Sequence, residues 1–584
     1  MPEERVIPAV QTVAEFIIKV NGTEIPRSIA RIAVNVTKMV NKLSSSRIVL
    51  QDGEASSGRF PLSEGNLFVP GNDIEIMAGE PDDPKSIFTG IIIKQALRIR
   101  ESTAAQLIVE CRHKAVKTTI GLNSACYHDI TDAEAMEKLL KASGFAAGDL
   151  AIEATNATHA ALVQYNCTDW DFVVNRAEVN GKVVLTNNEK IEVKTPTVSG
   201  SAALSLLHGA TIIELDAEMD SRTQYSSVKS TAWDMANQVV AESVASAPQA
   251  LEEEGNLTAA ALADVSSPEV YVLNHSGAIA PQERKAWADA QLLKSRLAKI
   301  RGRVKFDGIA TLNPGDVVEL NGLGERFNGK AFVSGVRQDY DMANGWKTQA
   351  QFGNTPQWFA EEIQPVVPKA GGLLAGAIGL HIGIVTDNED PDGEHRVRVK
   401  LPYINSDDEG VWARIAQADA GNNRGLFFRP EVGDEVVLGF LYDDPRQPVI
   451  LGMLHSSALA APLTASNDNY QKGFTSRTEL KLLFDDEKKS IQIETPGGNK
   501  ITLSDDAKGI TLEDENSNKI EMTPSGIKIT AAKELVLTGG TALSIGGPQI
   551  TMSGDGTVSI KGGGSTKLES SGAMEIKGAV VKIN

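Results

Sequence analysis

The last hundred residues of this chain alternate apolar and polar positions and break at glycine, as in "ITAAKELVLTGGTALSIGGPQITMSGDGTVSIKGG". A period of two marks short strands with one buried face. Apolar pairs recur as Ile491/Ile493, Ile501/Leu503, Ile510/Leu512, Ile520/Met522, Ile527/Ile529, Leu535/Leu537, Leu543/Ile545, Ile550/Met552 and Val558/Ile560, then through Leu568, Met574/Ile576 and Val581/Ile583. Their starting points lie about ten residues apart at first and about eight later, so each unit is one strand plus one turn of an internal repeat. After Phe484 there is no aromatic residue and no Arg, His or Cys. Large rings fill the interior of an ordinary sandwich or barrel. This segment must therefore enclose something narrow.

As a lone chain it is short of both core and partners. Two aliphatic side chains per strand return too little to offset the ordering of the backbone, and each short strand leaves its edges unpaired. Either one chain coils into a parallel β-helix, or identical chains intertwine so that each strand bonds to those of its neighbours. Units this short make too thin a coil for a solitary solenoid. A symmetric, three-sided prism fits better.

With 584 residues, 41% of them hydrophobic, the chain has room for several domains. The net charge of −19 argues against a nucleic-acid surface, which wants a basic patch. The three cysteines, Cys111, Cys126 and Cys167, show no CxxC spacing, which speaks against a disulfide scaffold or a zinc site. "MPEERVIPAV" lacks the basic flank and apolar run of a secretory signal. The run "AGGLLAGAIGLHIGIV" is shorter than the roughly 20 residues that span a bilayer and is punctuated by glycine. It reads as a linker entering a strand.

Residues from about 12 to 125 read as strands and turns. A helix is expected at "DAEAMEKLLKASGF", with Thr131 as N-cap, Glu134 three residues on and Gly144 near its end. Others fit "TDWDFVVNRAEVNG", between Thr168 and Gly181, and "QERKAWADAQLLKSRLAKI". Pro365 and Pro368 mark a linker. From Ile382 to about His455, five strands suit a small Greek-key barrel of the OB type.

Here the residues carry a resemblance. "WARIAQADAGNNRGLFFRPEVGDEVVLGFLYDDPRQPVILGMLHSS" resembles the OB domain of the VgrG spike proteins of type VI secretion systems, and of equivalent spikes in extracellular contractile injection systems and phage tails. The matching residues are Trp412, Arg414, Ala420, Gly421, Gly425, Pro430, Glu431, Gly433 to Val436, Phe440, Asp443, Asp444, Pro448 and Gly452. Upstream, "QYNCTDWDFVVNRAEVNGKVV" is similar to a stretch of the family's hub domain, with Cys167 where an acidic residue is common. Downstream, "SRTELKLLFDDEKKSIQIETPGGNKITLSDD" and the final "IKGAVVKIN" also fit.

The resemblance implies a mainly β, multidomain chain: a hub of two β-barrels with helices at 1–365, an OB-fold neck at 366–460, a linker at 461–485 and a trimeric β-prism needle at 486–584. It implies a homotrimer whose six barrels match a hexameric inner tube protein, with baseplate proteins, a PAAR-type tip protein and cargo effectors as partners, and a target membrane met only on firing. Such a protein is made in the bacterial cytoplasm, assembled into the particle and delivered outside or into a target cell. No cofactor, metal or nucleic acid is expected.

Only about 30 residues separate the OB strands from the repeats, too few for an inserted catalytic domain. The sequence ends at Asn584, and no C-terminal effector is expected. Asp443/Asp444 and Asp485/Asp486 read as turn residues. Cys111 and His113 read as a core or surface pair rather than ligands, and "GLGERF" lacks the strand, loop and helix of a phosphate site. The competing reading is a secreted β-helical protein that binds or degrades polysaccharide. It would want aromatic, basic or acidic residues along a groove, and the repeats have no Arg, His or aromatic. The candidate binding surface is instead the end of the needle. Ala579, Val581 and Ile583 alternate with Val580, Lys582 and Asn584, so the top layer exposes apolar, unpaired strands. The resemblance names a PAAR-repeat cone as their cover.

Overall fold

In the computed structural model the chain divides into two compact units, Met1–Leu373 and Leu374–Asn584. The structure describes residues 15–101, 103–249, 251–252, 254–266, 268–362 and 368–583. Pro365, and with it the expected hub boundary at 365/366, lies outside the described residues.

The first unit opens with strands β1 (Glu15–Val20), β2 (Thr23–Glu24), β3 (Arg31–Met39) and β4 (Lys42–Gln51), the single-turn helix α1 (Pro61–Glu64), and β5 (Asp73–Gly79), β6 (Lys85–Arg100) and β7 (Thr103–Arg112). Alternation drives their inner faces together: Ile18, Val34, Val36, Ile48, Ile76, Phe88 and Val109 form one closed apolar core. A second lobe comes from β13 (Leu204–Leu207), β14 (Glu214–Met219), β18 (Ile300–Asp307), β19 (Val317–Asn321), β20 (Gly329–Asp341) and β21 (Gly345–Phe352), around Val304, Phe306, Leu320, Val333 and Phe352. Pairing of β20 with β3 joins both lobes into one 13-stranded sheet.

The lobes repeat one another. The order β3-β4-β7-β6-β5-β1 in the first corresponds to β14-β18-β21-β20-β19-β13 in the second. Each carries a β-bulge at the matching place, between Ile92 and Lys94 and between Val333 and Gly335. Only the last strand differs, since β1 runs antiparallel to β5 and β13 parallel to β19.

Between the lobes lie β8 (Asn123–Thr131), α2 (Asp132–Ala142), β9 (Leu150–Ile152), β10 (Thr158–Cys167), α3 (Asp169–Val179), β11 (Val183–Asn187) and β12 (Lys190–Lys194). Inserted into the second lobe are β15 (Ser227–Asp234), β16 (Val239–Val244), α4 (Ala259–Ser266), β17 (Val270–His275) and α5 (Pro281–Leu297), and α6 (Phe359–Glu362) follows it. The expected caps are in place. Thr131 accepts from the Glu134 N–H while Glu134 accepts from the Thr131 N–H, a reciprocal capping box, and Thr168 accepts from the Asp171 N–H. Glu178 of α3 is buried and gathers four elements: Lys294 Nζ of α5 donates at 2.8 Å, Asn41 Nδ2 of the β3–β4 turn at 3.1 Å and the Phe359 N–H of α6 at 2.7 Å.

The second unit begins with the five-stranded closed barrel of β22 (His381–Asp387), β23 (Val397–Lys400), β24 (Val411–Ile415), β27 (Glu435–Phe440) and β28 (Pro448–Met453), packed on Val385, Val397, Val399, Ala413, Val436, Leu438 and Ile450. The two-residue strands β25 (Ala420–Gly421) and β26 (Arg424–Gly425) form an outlying hairpin. Gly425 has φ +125°, and a Cβ there would meet the Asp419 carbonyl oxygen at 2.4 Å, so no other residue fits that close approach. Trp412 is flanked by the guanidinium groups of Arg396 and Arg398, 5.8 and 5.4 Å from its ring.

Among the buried bases of the first unit, Lys38 and His113 have lowered pKa values. Lys38 donates to Asn188 and Asn313 at 3.3 and 2.9 Å, and burial pulls its pKa down to about 8. His113 accepts from the Ala115 N–H at 3.1 Å, and burial lowers its pKa to about 4. Unfolded, His113 protonates near its ordinary 6.5, so the unfolded state binds more protons between pH 6.5 and 4 and stability falls as pH drops through that window. The full effect is about 3 kcal/mol. His113→Asn keeps an acceptor for Ala115 but cannot titrate. Between pH 7 and 4.5 the natural chain is expected to lose about 2 to 3 kcal/mol more than the variant in denaturant unfolding followed by tryptophan fluorescence; equal losses would exclude His113 as the source.

Candidate functional site

A seven-stranded meander runs through β29 (Gln471–Thr475), β30 (Lys481–Asp485), β31 (Ser490–Glu494), β32 (Lys500–Ser504), β33 (Gly509–Glu513), β34 (Lys519–Thr523) and β35 (Gly526–Thr530), each antiparallel to the next, so its first two strands come from the stretch expected as linker (461–485) and the rest from the expected needle. Its register places the apolar pairs in two columns on one face. One runs Phe474, Leu482, Ile493, Ile501, Leu512, Ile520, Ile529, and the other Phe484, Ile491, Leu503, Ile510, Met522, Ile527. In a finished sheet this face would be covered. Here Ile491, Ile493, Ile501, Leu503, Ile510, Met522, Ile527 and Ile529 are between 37% and 69% exposed.

The other face is polar. Lys481, Glu494, Lys500, Glu513 and Lys519 stand opposite one another in turn, alternating in sign across five strands. Each such pair contributes about 0.2 to 1 kcal/mol, and a slip of one residue would put the apolar columns on this face. Lys519 Nζ also donates to Glu521 at 2.8 Å, which raises the ammonium's pKa and lowers the carboxyl's.

Beyond Thr530 the pattern continues but the pairing stops. Strands were expected from Leu535 to Ile583. Among the described residues from 531 to 583 there is no strand and no backbone-to-backbone hydrogen bond. A strand exists only where a second backbone bonds to it, and among the described residues no other stretch does so. The apolar positions Leu535, Leu537, Leu543, Ile545, Ile560 and Ile576 are all exposed. Ala579, Val580, Val581, Lys582 and Ile583 end this stretch, exposed, while Asn584 lies outside the described residues.

The other singled-out residues have local partners. Asp444 accepts from the Arg446 N–H and guanidinium, which hold its carboxyl below the usual range. Asp485 accepts from the Lys488 N–H, with the same effect, and Asp486 pairs with Lys472. Burial pushes the Cys111 thiol up to about 12. The columns extend upward to Phe474, which makes a T-shaped contact with Phe428 at 5.2 Å; the apolar repeat from Ile491 onward carries no signal of either.

Three family models match in order: the Alg8 N-terminal domain at residues 10–341, the type VI secretion system/phage-baseplate injector OB domain at 381–455 and the phage baseplate V C-terminal trimerisation domain at 490–568. Fold, needle and matches define the class, a VgrG-type spike of contractile injection machines. Within it, the chain belongs to the family of the Alg8 N-terminal domain, whose model takes in more than half of its length. Curated relatives include the actin cross-linking toxin VgrG1 of Vibrio cholerae, 29% identical over 185 residues, 28% of this chain and 15% of the relative. The type VI secretion system spike protein VgrG1b of Pseudomonas aeruginosa is 25% identical over 223 residues, 36% of this chain and 29% of the relative. The chain thus aligns with less than a third of these relatives' length. Solved structures similar to it include a Neisseria meningitidis tail protein (TM-score 0.42, 15% identity, 59% of this chain and 98% of that one) and an E. coli type VI secretion component (TM-score 0.40, 14% identity, 75% and 99%).

If the columns are covered by other copies, a charge within them is intolerable. Ile501→Asp removes about 2 to 3 kcal/mol of burial from each copy and adds the cost of desolvating a carboxylate. Native mass spectrometry is expected to show a trimer for the natural chain and its loss in the variant.

Proposed function

We propose that three copies of this chain form the spike of a contractile injection machine, joining the hexameric inner tube at the hub to a membrane-piercing needle and carrying a tip protein and effectors. The observation that supports it is the needle: two uncovered apolar columns followed by a tail without backbone partners, a segment complete only in an oligomer. The partition into hub, OB neck, linker and needle belongs to this reading. So do its baseplate contacts and its passage from the bacterial cytoplasm to the outside or into a target cell. No helix of the described residues is long and apolar enough to cross a membrane.

The spike acts mechanically, without turnover. The carboxylates at Asp444 and Asp485 are tied to turns, which supports this. The purified chain is expected to be inert on glycans, peptides and nucleic acid, and turnover abolished by one point substitution would overturn the mechanical reading. Full-length spike is expected to co-purify with co-expressed inner tube protein; failure to do so in a trimeric preparation would remove the tube from its partners.

The end of the needle, Ala579 to Asn584, is proposed as the seat of a PAAR-type tip protein, which would cover its apolar top layer. Deleting Val580 to Asn584 is expected to leave trimerisation intact, since most of the needle remains, and to abolish capture of the tip protein in a pull-down. Capture at full strength by the truncated spike would place the seat elsewhere.

A further inference from the structure

Lys38 is a buried base that the spike reading leaves unused. It stands on β3 opposite Val336 of β20, in the joint between the lobes, and is 5% exposed. Burying an ammonium is costly unless a charge pairs with it, yet its Nζ finds two neutral carboxamides, Asn313 Oδ1 at 2.9 Å and Asn188 Oδ1 at 3.3 Å. Burial pulls its pKa down to about 8, so near that pH about half of the amine carries a free lone pair. A desolvated lysine of this kind is a nucleophile.

Asn313 lies in the connection from β18 to β19 and is held at several points. Its side-chain Nδ2 donates to the Thr311 carbonyl at 3.1 Å, its N–H to Asp316 Oδ2 at 2.8 Å, and its C=O accepts from the Asp316 N–H at 3.2 Å. The side-chain amide thus turns Oδ1 toward Lys38 and Nδ2 toward Thr311. Burial raises the pKa of Asp316, and its charge acts on Lys38. Its Oδ1 accepts no hydrogen bond among the described residues. An amine, a carboxamide and a carboxyl are gathered at one buried place, the groups that amide exchange requires. Asn188 is the longer contact, and Asp316 bonds to Asn313.

We propose that Lys38 and Asn313 join in an isopeptide bond within the chain. The neutral Nζ adds to Cγ of Asn313, the Nζ–Cγ bond forms, the Cγ–Nδ2 bond breaks and ammonia leaves. Asp316 takes a proton from Nζ and returns one to the departing nitrogen, ending as it began. Amine plus carboxamide becomes secondary amide plus ammonia, with no change of oxidation state and no co-reactant. The link ties β3 of the first lobe to the β18–β19 connection of the second, across 275 positions of sequence and beside the strand pairing that joins the lobes. A cross-link over so long a loop constrains the unfolded chain more than a short one does. A joint of strand pairing alone opens under load; one crossed by an amide opens only when a covalent bond breaks. This bond goes beyond the spike reading and stands without it.

The test is the mass of the purified full-length chain after incubation at pH 8, where about half of Lys38 is neutral. The linked chain is expected to be lighter than its sequence by one ammonia, and proteolysis to release a branched fragment holding Lys38 and Asn313. Succinimide closure also expels ammonia from asparagine, but it needs the N–H of the next residue, and Asn313 precedes Pro314, which has none. Lys38→Met is expected to abolish the link. Asp316→Asn keeps an acceptor for the Asn313 N–H but cannot carry the proton, and is expected to slow linkage about a hundredfold or more. Asn188→Ala is expected to link as the natural chain does. A natural chain of unaltered mass overturns the proposal, as does ammonia lost only at other asparagines or a branch at Asn188. Linkage of Asp316→Asn at the natural rate overturns the proton path. The natural chain carries the decisive reading whether or not a variant folds.

Discussion

Every backbone N–H and C=O in a strand needs a partner, and where those partners come from organises this molecule. In the OB barrel they come from the same small domain, because the barrel closes on itself and leaves no edge. In the hub they come from a sheet that passes from one lobe into the other. In the C-terminal repeats they come from sequential neighbours as far as Thr530 and, beyond it, from none of the described residues. The same requirement, met by three routes, separates what folds within one copy from what is completed between copies.

Rigid placement of the hub sheet depends on a few buried polar groups. The Glu178–Lys294 pair is almost fully enclosed. Taking two such charges out of water is costly, and the arrangement holds because Glu178 is also bonded by Asn41 and the Phe359 N–H. A second clasp, Asp132 with Arg176, Asn180 and His159, with Glu283 beside it, ties α2 and α3 to β10 and the first turn of α5. Apolar packing alone would let these helices slide over the sheet; directional bonds from both clasps fix where they stand.

How far the sequence could be read follows from how local each signal is. The helix of Asp132–Ala142 was legible because Thr131 and Glu134 announce its start within four residues. The OB barrel and the needle's two-residue rhythm were legible for the same reason. Two barrels in the first part of the chain were implied by the resemblance, but that one repeats the other was not, since Ala33–Val36 and the equivalent Glu214–Ala217 are identical at no position, and strand order and bulge position reveal the relation. Glu178 read as one residue of a helix, because its partners lie up to 181 positions away.

The point at which in-chain pairing ends coincides with a local change in backbone conformation. Reversing direction between two short antiparallel strands takes backbone in the left-handed region at the turn. In the meander the turns supply it at Lys489, Gly498, Lys508, Ser517 and Gly526, with φ between +44° and +134°. Asp514 reinforces one of them by accepting from the Asn516 and Asn518 N–H groups. After Gly526 no described residue has a positive φ, although glycine is frequent there. Without such residues the segments lack the turn conformation that joins the meander's strands. They keep their apolar rhythm while advancing, a geometry whose hydrogen bonds must come from a neighbouring backbone. The change from meander to tail is thus marked by a change in turn conformation, with the apolar alternation carried through unchanged.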